Sequence, residues 1–169
     1  MIVTLRLILP ADEEQLIRIA NNKAVADGMT TLPIPFTTID AQELIQRAAS
    51  CDEVVRGIID ERSKKVCGVI IMRDFEKHHE QAELSIWIGE AYWGRGLGTA
   101  AIQEMVKTGF TELGLNRIYA YCMVRNVGSQ RILEKSGFIR EGLLRERVIK
   151  NGIYEDVYIY GILRRDINT

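Results

Sequence analysis

Three glycines at alternate positions stand between a strand-like segment and an amphipathic helix, and they restrict the possible folds more than any other part of the chain. They are Gly94, Gly96 and Gly98. The apolar segment 82–89 precedes them, and after them apolar residues recur at helical spacing. A second strand-like segment, 117–124, follows the helix. Strand, helix and strand in this order predict a right-handed crossover between two parallel strands.

Two further pairs of strand-like segments are each joined by a short turn, which predicts antiparallel hairpins. Segments 54–60 and 66–73 flank a charged turn. Segments 138–149 and 153–163 flank the Asn-Gly dipeptide 151–152, which is typical of tight hairpins. Antiparallel hairpins together with one parallel crossover predict a mixed sheet that is mostly antiparallel.

Length and composition fit one globular domain over residues 1–169. The chain is 47% hydrophobic and 27% charged, which excludes wholesale disorder. Helical patterns at 11–22, 37–49 and 127–136 supply covering layers, so the predicted fold class is α/β (α+β), with helices on both faces of the sheet. A net charge of −1 lacks the basic excess that nucleic-acid binders show, so no nucleic-acid partner is expected.

The cysteines and the apolar runs predict a cytoplasmic protein with neither membrane segment nor metal. Cys51, Cys67 and Cys122 are odd in number and isolated, which favours reduced thiols, buried in the case of the last two. The N-terminus has no basic region of a signal peptide, and the apolar run 66–72 is too short to span a bilayer. The adjacent histidines 78–79 lack a third ligand at usable spacing.

The glycine-rich segment 93–99 predicts a phosphate site. Alternating glycines let successive N–H groups point into one concavity, and the helix N-terminus adds partial positive charge. A tight strand–helix turn alone could also require these glycines. The segment has no Gly-Lys-Ser/Thr, which excludes a nucleoside-triphosphate loop. Its glycines are more closely spaced than those of the dinucleotide-binding fingerprint, and they follow segment 82–89 rather than the first strand of the chain.

Four motifs occur in order along the chain. They are Ala82–Gly89, Tyr92–Thr99, the pair Asn126 and Ser129, and Glu134–Phe138. Together they resemble the GNAT superfamily of acetyl-CoA-dependent N-acetyltransferases, in particular its RimJ/RimL branch, which acetylates N-termini of ribosomal proteins. The Pro-Ile-Pro-Phe-Thr loop at 33–37 and the spaced residues Arg145, Gly152, Asp156 and Tyr160 also resemble that branch. The resemblance covers nearly the whole chain.

The resemblance implies an acetyl-CoA site. The glycine loop would hold the diphosphate on backbone amides, the cofactor strand would pair with the pantetheine arm where the sheet splays, and an asparagine would bind the arm from the other side. One departure is Trp93, at a position where the superfamily usually has Gln or Arg. The residues expected to contact the cofactor are Ile86, Trp87, Ile88, Trp93, Gly94, Arg95, Gly96, Leu97, Gly98, Thr99, Asn126 and Ser129.

The resemblance also suggests two catalytic residues. Attack on a thioester needs a neutral amine, and a carboxylate can take its proton. Glu83, at the start of the cofactor strand, is the candidate base, with a solvent-facing strand end as the alternative. Leu133 stands where many members have the tyrosine acid, so Ser129 is the nearest hydroxyl that could protonate the thiolate. Ser129 could instead merely cap its helix.

The expected activity is therefore acetyl transfer to a primary amine, most simply the α-amine of a protein or peptide, by direct attack in a ternary complex. A polyamine, an amino acid or another small amine is an alternative acceptor. A non-catalytic CoA-binding regulatory domain and an interaction protein with a purely structural glycine turn are the alternatives outside enzymes. Tyr154, Tyr158 and Tyr160 alternate on the last strand, whose edge could meet a second subunit in a homodimer.

Overall fold

The computed structural model describes residues 3–167, so both ends of the predicted 1–169 domain lie outside the described residues. One sheet forms the centre, with helices on both faces. The strands are β1 Thr4–Arg6, β2 Val54–Asp60, β3 Lys65–Glu76, β4 Gln81–Ile88, β5 Arg117–Met123, β6 Ile139–Lys150 and β7 Ile153–Leu163. The helices are α1 Glu13–Ala20, α2 Lys23–Asp27, α3 Thr38–Ala49, α4 Leu97–Thr111, α5 Val127–Lys135 and α6 Arg164–Ile167.

The sheet has seven strands in the order β1-β2-β3-β4-β5-β7-β6. Every neighbouring pair is antiparallel except β4 and β5, which are parallel. This confirms the predicted mixed sheet, both hairpins and the parallel pair. The strand β6 forms one outer edge of the sheet; the homodimer that such an edge could support stays a prediction.

The parallel pair separates after a short contact. Residues 81–83 of β4 pair with 117–119 of β5, and the pairing stops there. Both strands continue, to Ile88 and Met123, so a gap opens toward their carboxyl ends. The helix α4 begins directly beyond the open end of β4. This gap is the predicted splay of the sheet.

Two hydrophobic cores lie on opposite faces of the sheet, and β3 belongs to both. Ile70 and Met72 pack into the core under α4, whereas Val69 and Ile71 pack into the core under α1 and α3. A strand buried on both faces carries a continuous apolar run rather than an alternating one, which explains the run 66–72. Cys67 and Cys122 are buried free thiols, as predicted.

Helix boundaries follow their capping residues. A capping box begins α3: the Thr37 N–H donates to Asp40 Oδ2 at 2.6 Å and the Asp40 N–H to Thr37 Oγ1 at 3.4 Å. Gly114, in the left-handed region at φ +71°, follows the end of α4. The helix α2 was not predicted, since five residues are too few for a periodic pattern. Its sequence signal was Asn22, whose side chain accepts the Val25 N–H at 3.1 Å.

Candidate active site

The edge of β4 that faces the gap carries unpaired backbone groups. The N–H of Gly89 donates to the carbonyl of Cys67 at 2.8 Å, on the β3 side. Because backbone groups alternate between the two edges of a strand, those of Ile86 and Ile88 face the gap instead. The Ile88 carbonyl accepts a hydrogen bond from the Trp93 indole N–H at 2.8 Å. Both backbone groups of Ile86 and the Ile88 N–H are therefore open to a ligand lying along β4.

Trp87 lies differently from its two neighbours. Its backbone pairs with Val69 on β3, and its side chain is buried, with its ring centroid 6.5 Å from that of Phe36. Three consecutive residues were predicted to pair with a cofactor arm. The backbone groups of Ile86 and Ile88 face the gap, and those of Trp87 face β3.

The glycine loop at the N-terminus of α4 presents a row of free amides. Gly94 and Gly96 have φ angles of +72° and +75°, a conformation that favours glycine. The first amide of this region to make a backbone hydrogen bond is that of Ala100, to Gly96 at 3.1 Å. Over residues 3–167, the N–H groups of 94–99 have no acceptor. Unpaired amides at a helix N-terminus fit a phosphate or diphosphate.

The side chain of Arg95 is engaged elsewhere. Its guanidinium binds the carboxylate of Asp60 at the end of β2 and lies 5.5 Å from the ring centroid of Tyr92. Burial acts to raise the pKa of Asp60, but hydrogen bonds from Ser63 and Arg95 hold that pKa below its usual value. Asp60 is therefore a buried carboxylate that anchors the glycine loop to the β2–β3 hairpin, and Arg95 offers a phosphate its backbone amide.

A cleft of about 370 Å³ occupies the gap. Its walls are the diverging strands β4 and β5, the first turns of α5, the loop after α2 and one stretch of β6. The lining residues from the predicted site are Glu83, Ile86, Asn126, Ser129 and Leu133. Those that the sequence did not single out are Gly28, Met29, Thr30, Thr31, Arg73, Leu84, Ser85, Ala120, Tyr121, Cys122, Met123, Arg147, Val148 and Ile149.

Asn126 connects two walls of the cleft. Its Oδ1 accepts the Ser129 N–H at 3.1 Å, which makes it the N-cap of α5. Its Nδ2 donates to the carbonyl of Gly28 at 3.0 Å, in the loop after α2. A side-chain amide has two N–H donors, so one remains for a ligand.

Ser129 lies in the first turn of α5, beside Cys122. Burial raises the pKa of the Cys122 thiol, although a hydrogen bond from Ser129 opposes this rise. Leu133, about one turn further along α5, is buried and lines the same cleft. Leu133, at the position of the usual tyrosine, therefore has no hydroxyl to offer the cleft, whereas Ser129 has one.

Glu83 lies at the apex of the gap. It is the last residue of β4 that pairs with β5, opposite Tyr119. On its other side it faces Arg73 of β3, whose Nη2 lies 3.0 Å from Glu83 Oε1. Only 13% of its side chain is exposed, so it is not a solvent-facing strand end. Burial raises the pKa of Glu83, Arg73 lowers it, and the neighbouring Asp74 raises it further, with a net rise.

Arg73 is a site residue that sequence reasoning missed. A bulge follows it in β3, where Asp74 takes a φ of +53°. The strand-like segment predicted from the sequence ends at residue 73, but β3 continues through Glu76. The ion pair between Arg73 and Glu83 depends on the register between two strands, which neither segment shows alone.

The described part of the chain contains no group of three or more His, Cys, Asp or Glu that could hold a metal ion. His78 and His79 lie exposed in a 3-10 turn. No helix of residues 3–167 is long and apolar enough to cross a bilayer.

Comparison with known proteins gives one consistent family. Residues 3–139 match the acetyltransferase (GNAT) domain family. A solved structure of spermidine N-acetyltransferase from Vibrio cholerae, in complex with CoA and spermine, superposes with a TM-score of 0.86. It is 25% identical, over 99% of this chain and 98% of that chain.

Relatives with named acceptors are of two kinds. The spermidine N(1)-acetyltransferase of Vibrio cholerae O1 is 28% identical over 73% of this chain and 72% of its own length. The ribosomal-protein-serine acetyltransferase of Escherichia coli K12 is 29% identical over 59% of this chain and 55% of its own length. One acetylates a polyamine and the other a ribosomal protein, so these relatives leave the acceptor of this chain open.

Proposed function

Because this chain belongs to the GNAT acetyltransferase family, we propose that it is an enzyme that acetylates the N-terminal α-amine of a protein or peptide. Acetyl-CoA is the acetyl donor. The observation that carries the proposal is the row of free amides at 94–99, placed beside the open edge of β4. These features suit the two ends of one ligand: an anionic diphosphate, and an extended arm with amide groups.

The chain's own groups bind and orient the donor. The amides of 94–99 hold the diphosphate, and Ile86 and the Ile88 N–H pair with the arm in the gap. The remaining N–H of Asn126 binds the arm from the α5 side. Acetyl-CoA supplies an activated acetyl thioester, and the protein supplies position and proton transfer.

Glu83 takes the proton of the acceptor amine. An α-amine has a pKa of about 8, so a substantial fraction of the acceptor amine is protonated at neutral pH. Burial raises the pKa of Glu83 above its ordinary value, which makes its carboxylate a stronger base than a surface glutamate. Free N–H groups along β4 stabilise negative charge that develops on the acetyl oxygen. The amine attacks the acetyl carbonyl directly within the ternary complex, and the C–S bond then breaks. The hydroxyl of Ser129 protonates the departing thiolate and regains its proton from solvent.

The loop after α2 and the β6 rim form the acceptor side of the cleft. An open groove between a loop and a strand suits a chain end that continues away from its reacting amine. The second candidate acceptor is a polyamine, which the similarity to the spermidine acetyltransferases favours. A regulatory domain that binds acetyl-CoA without turnover would retain the amides but release no CoA.

Saturating acetyl-CoA should raise the thermal unfolding midpoint by about 5–10 °C. A ligand at 100 times its Kd stabilises the native state by about 2.7 kcal/mol, and a chain of this length gains a few degrees for each kcal/mol. Differential scanning fluorimetry with and without acetyl-CoA measures the shift. CoA release is then followed with peptides, spermidine and free amino acids as acceptors.

Desulfo-CoA is the control ligand, since it retains the diphosphate and lacks the thioester. A midpoint that does not move with acetyl-CoA would contradict the donor site. A shift without CoA release above background from any acceptor would contradict the enzyme and support the regulatory domain.

The acidic limb of the pH–rate profile should depend on the neighbours of Glu83. The base must be ionised, so kcat/KM rises with pH through the pKa of Glu83, which burial raises above its ordinary value. Arg73→Gln removes a positive charge that lowers this pKa, so the limb should move to higher pH. Asp74→Asn removes an acid that raises it, so the limb should move to lower pH.

The acceptor amine also titrates, but its pKa is the same for every variant, so the differences between variants report on the protein. Profiles of the two variants that coincide with that of the wild type would contradict the role of Glu83 as base.

A further inference from the structure

The edge strand β6 contains a bulge where it borders the cleft. Its register with β7 shifts between Leu144 and Val148. Glu146, inside the bulge, has a φ of +49°, and its N–H donates to Asp156 Oδ1 at 2.7 Å. Bulges beside binding sites commonly change the direction of a side chain. The residue whose direction this bulge sets is Arg147.

Arg147 reaches across β7 toward β5 and lines the cleft. Its guanidinium carbon lies 5.3 Å from the ring centroid of Tyr121, which lines the cleft as well. A guanidinium that stacks on a ring keeps its N–H donors free in the plane of the group. The ring thus holds the cation in place, and the donors are available to a ligand.

No carboxylate within residues 3–167 pairs with Arg147. The other two charged groups that line the cleft, Arg73 and Glu83, form an ion pair, and Arg73 Nε also lies 3.8 Å from Asp74 Oδ2, although Asp74 does not line the cleft. On the β6 side, Glu155 is already bound by Arg125, which also binds Asp27. Among the described residues that line the cleft, Arg147 is therefore the one charged side chain without an oppositely charged partner, and its charge is positive.

We propose that the acceptor carries a carboxylate close to its amine and that Arg147 binds this carboxylate. The inference rests on the proposed N-acetyltransferase function and narrows its substrate class. In a peptide the carboxylate would be an Asp or Glu side chain at the second or third residue. In a free amino acid it would be the α-carboxylate. A fork of N–H donors matches the two oxygens of either group.

The same charge disfavours a polyamine, whose several ammonium groups it repels. Asp74 and Glu76 lie near the ring of Tyr119, but neither lines the cleft. An acceptor attracted by those two acids would approach from outside the cleft. A preference for an acidic acceptor or for a polyamine therefore distinguishes an acceptor bound beside Arg147 in the cleft from one attracted by Asp74 and Glu76 outside it.

The test measures kcat/KM for CoA release with matched acceptors. Three peptides begin Ser-Asp, Ser-Asn and Ser-Lys and are otherwise identical, and free glutamate, glutamine and spermidine complete the set. The wild type should prefer Ser-Asp over the isosteric Ser-Asn by about tenfold or more, because one charge-assisted contact is lost. A preference for glutamate over the peptides would identify a free amino acid as the source of the carboxylate.

Two variants assign the preference to Arg147. Arg147→Gln should reduce the Ser-Asp to Ser-Asn ratio to near one, and Arg147→Glu should reverse the order in favour of Ser-Lys. Arg140→Gln is the matched control: Arg140 also lies over a tyrosine, 4.5 Å from the ring centroid of Tyr158, but does not line the cleft. This control should keep the wild-type preference.

The possible failures are distinct. Turnover of Ser-Asn, Ser-Lys or spermidine at least as fast as both Ser-Asp and glutamate overturns the carboxylate inference and leaves acetyl transfer intact. An unchanged ratio in Arg147→Gln also overturns it. No CoA release from any acceptor, with acetyl-CoA bound in the thermal assay, overturns the proposed function and this inference with it.

Discussion

Replacing Glu83 by glutamine should lower kcat by about two to three orders of magnitude, the usual contribution of a general base. Glutamine keeps the shape of the side chain and can still face Arg73, but it cannot accept the amine proton. Glu83 lies at the apex of the gap, away from the glycine loop, so the KM for acetyl-CoA should change little. Steady-state kinetics with the best acceptor measures both constants.

Glu76→Gln is the control, since Glu76 is an exposed acid on the same stretch of β3 and does not line the cleft. It should retain the wild-type kcat. If Glu83→Gln also retains it, another group removes the proton, and the raised pKa of Glu83 reflects its burial alone.

Gly94→Val should weaken acetyl-CoA binding by at least about thirtyfold. A β-branched residue at φ +72° is strongly strained, so the loop must rotate its peptides and turn amides away from the concavity. Each hydrogen bond lost to a charged phosphate costs about 1.5–3 kcal/mol. Calorimetric titration of acetyl-CoA gives the Kd.

Gly114→Val provides a matched control at the other end of α4. Gly114 has nearly the same φ, +71°, and a Cβ at either glycine meets nothing within 4 Å. Both variants should therefore lose similar stability, about 1–3 kcal/mol. Only the Gly94 variant should lose acetyl-CoA affinity. Equal Kd values for the two would show that the glycine loop does not bind the donor.

The sequence predicted the features of this fold that depend on local pattern. Strand-like runs flanking an Asn-Gly turn predicted the β6–β7 hairpin, and the helical pattern at 37–49 predicted α3. The strand–glycine–helix order predicted the parallel pair and the amides at 94–99. Each of these depends on residues that are neighbours in the chain, so propensity and spacing suffice.

The features that the sequence missed depend on which strands face each other. Arg73 meets Glu83 only through the β3–β4 register, and Arg95 meets Asp60 across 35 positions of chain. Arg147 reaches the cleft because of a bulge, and no residue type in 144–148 indicates that bulge in the sequence. A single sequence does not show the register between neighbouring strands. The ion pairs of the cleft, and the charged side chain that has no such partner, could therefore be identified only from the structure.

The short contact between β4 and β5 also determines how the two parts of the sheet are connected. It divides the sheet into a block of four strands and a block of three, and three residue pairs form the ladder between them. So short a ladder means that few backbone hydrogen bonds join the two blocks. An extended ligand lying in the gap would act as an additional strand. It would connect the two blocks where the hydrogen bonds between β4 and β5 end. With acetyl-CoA bound in the gap as proposed, catalysis would take place inside an incomplete sheet that the donor completes.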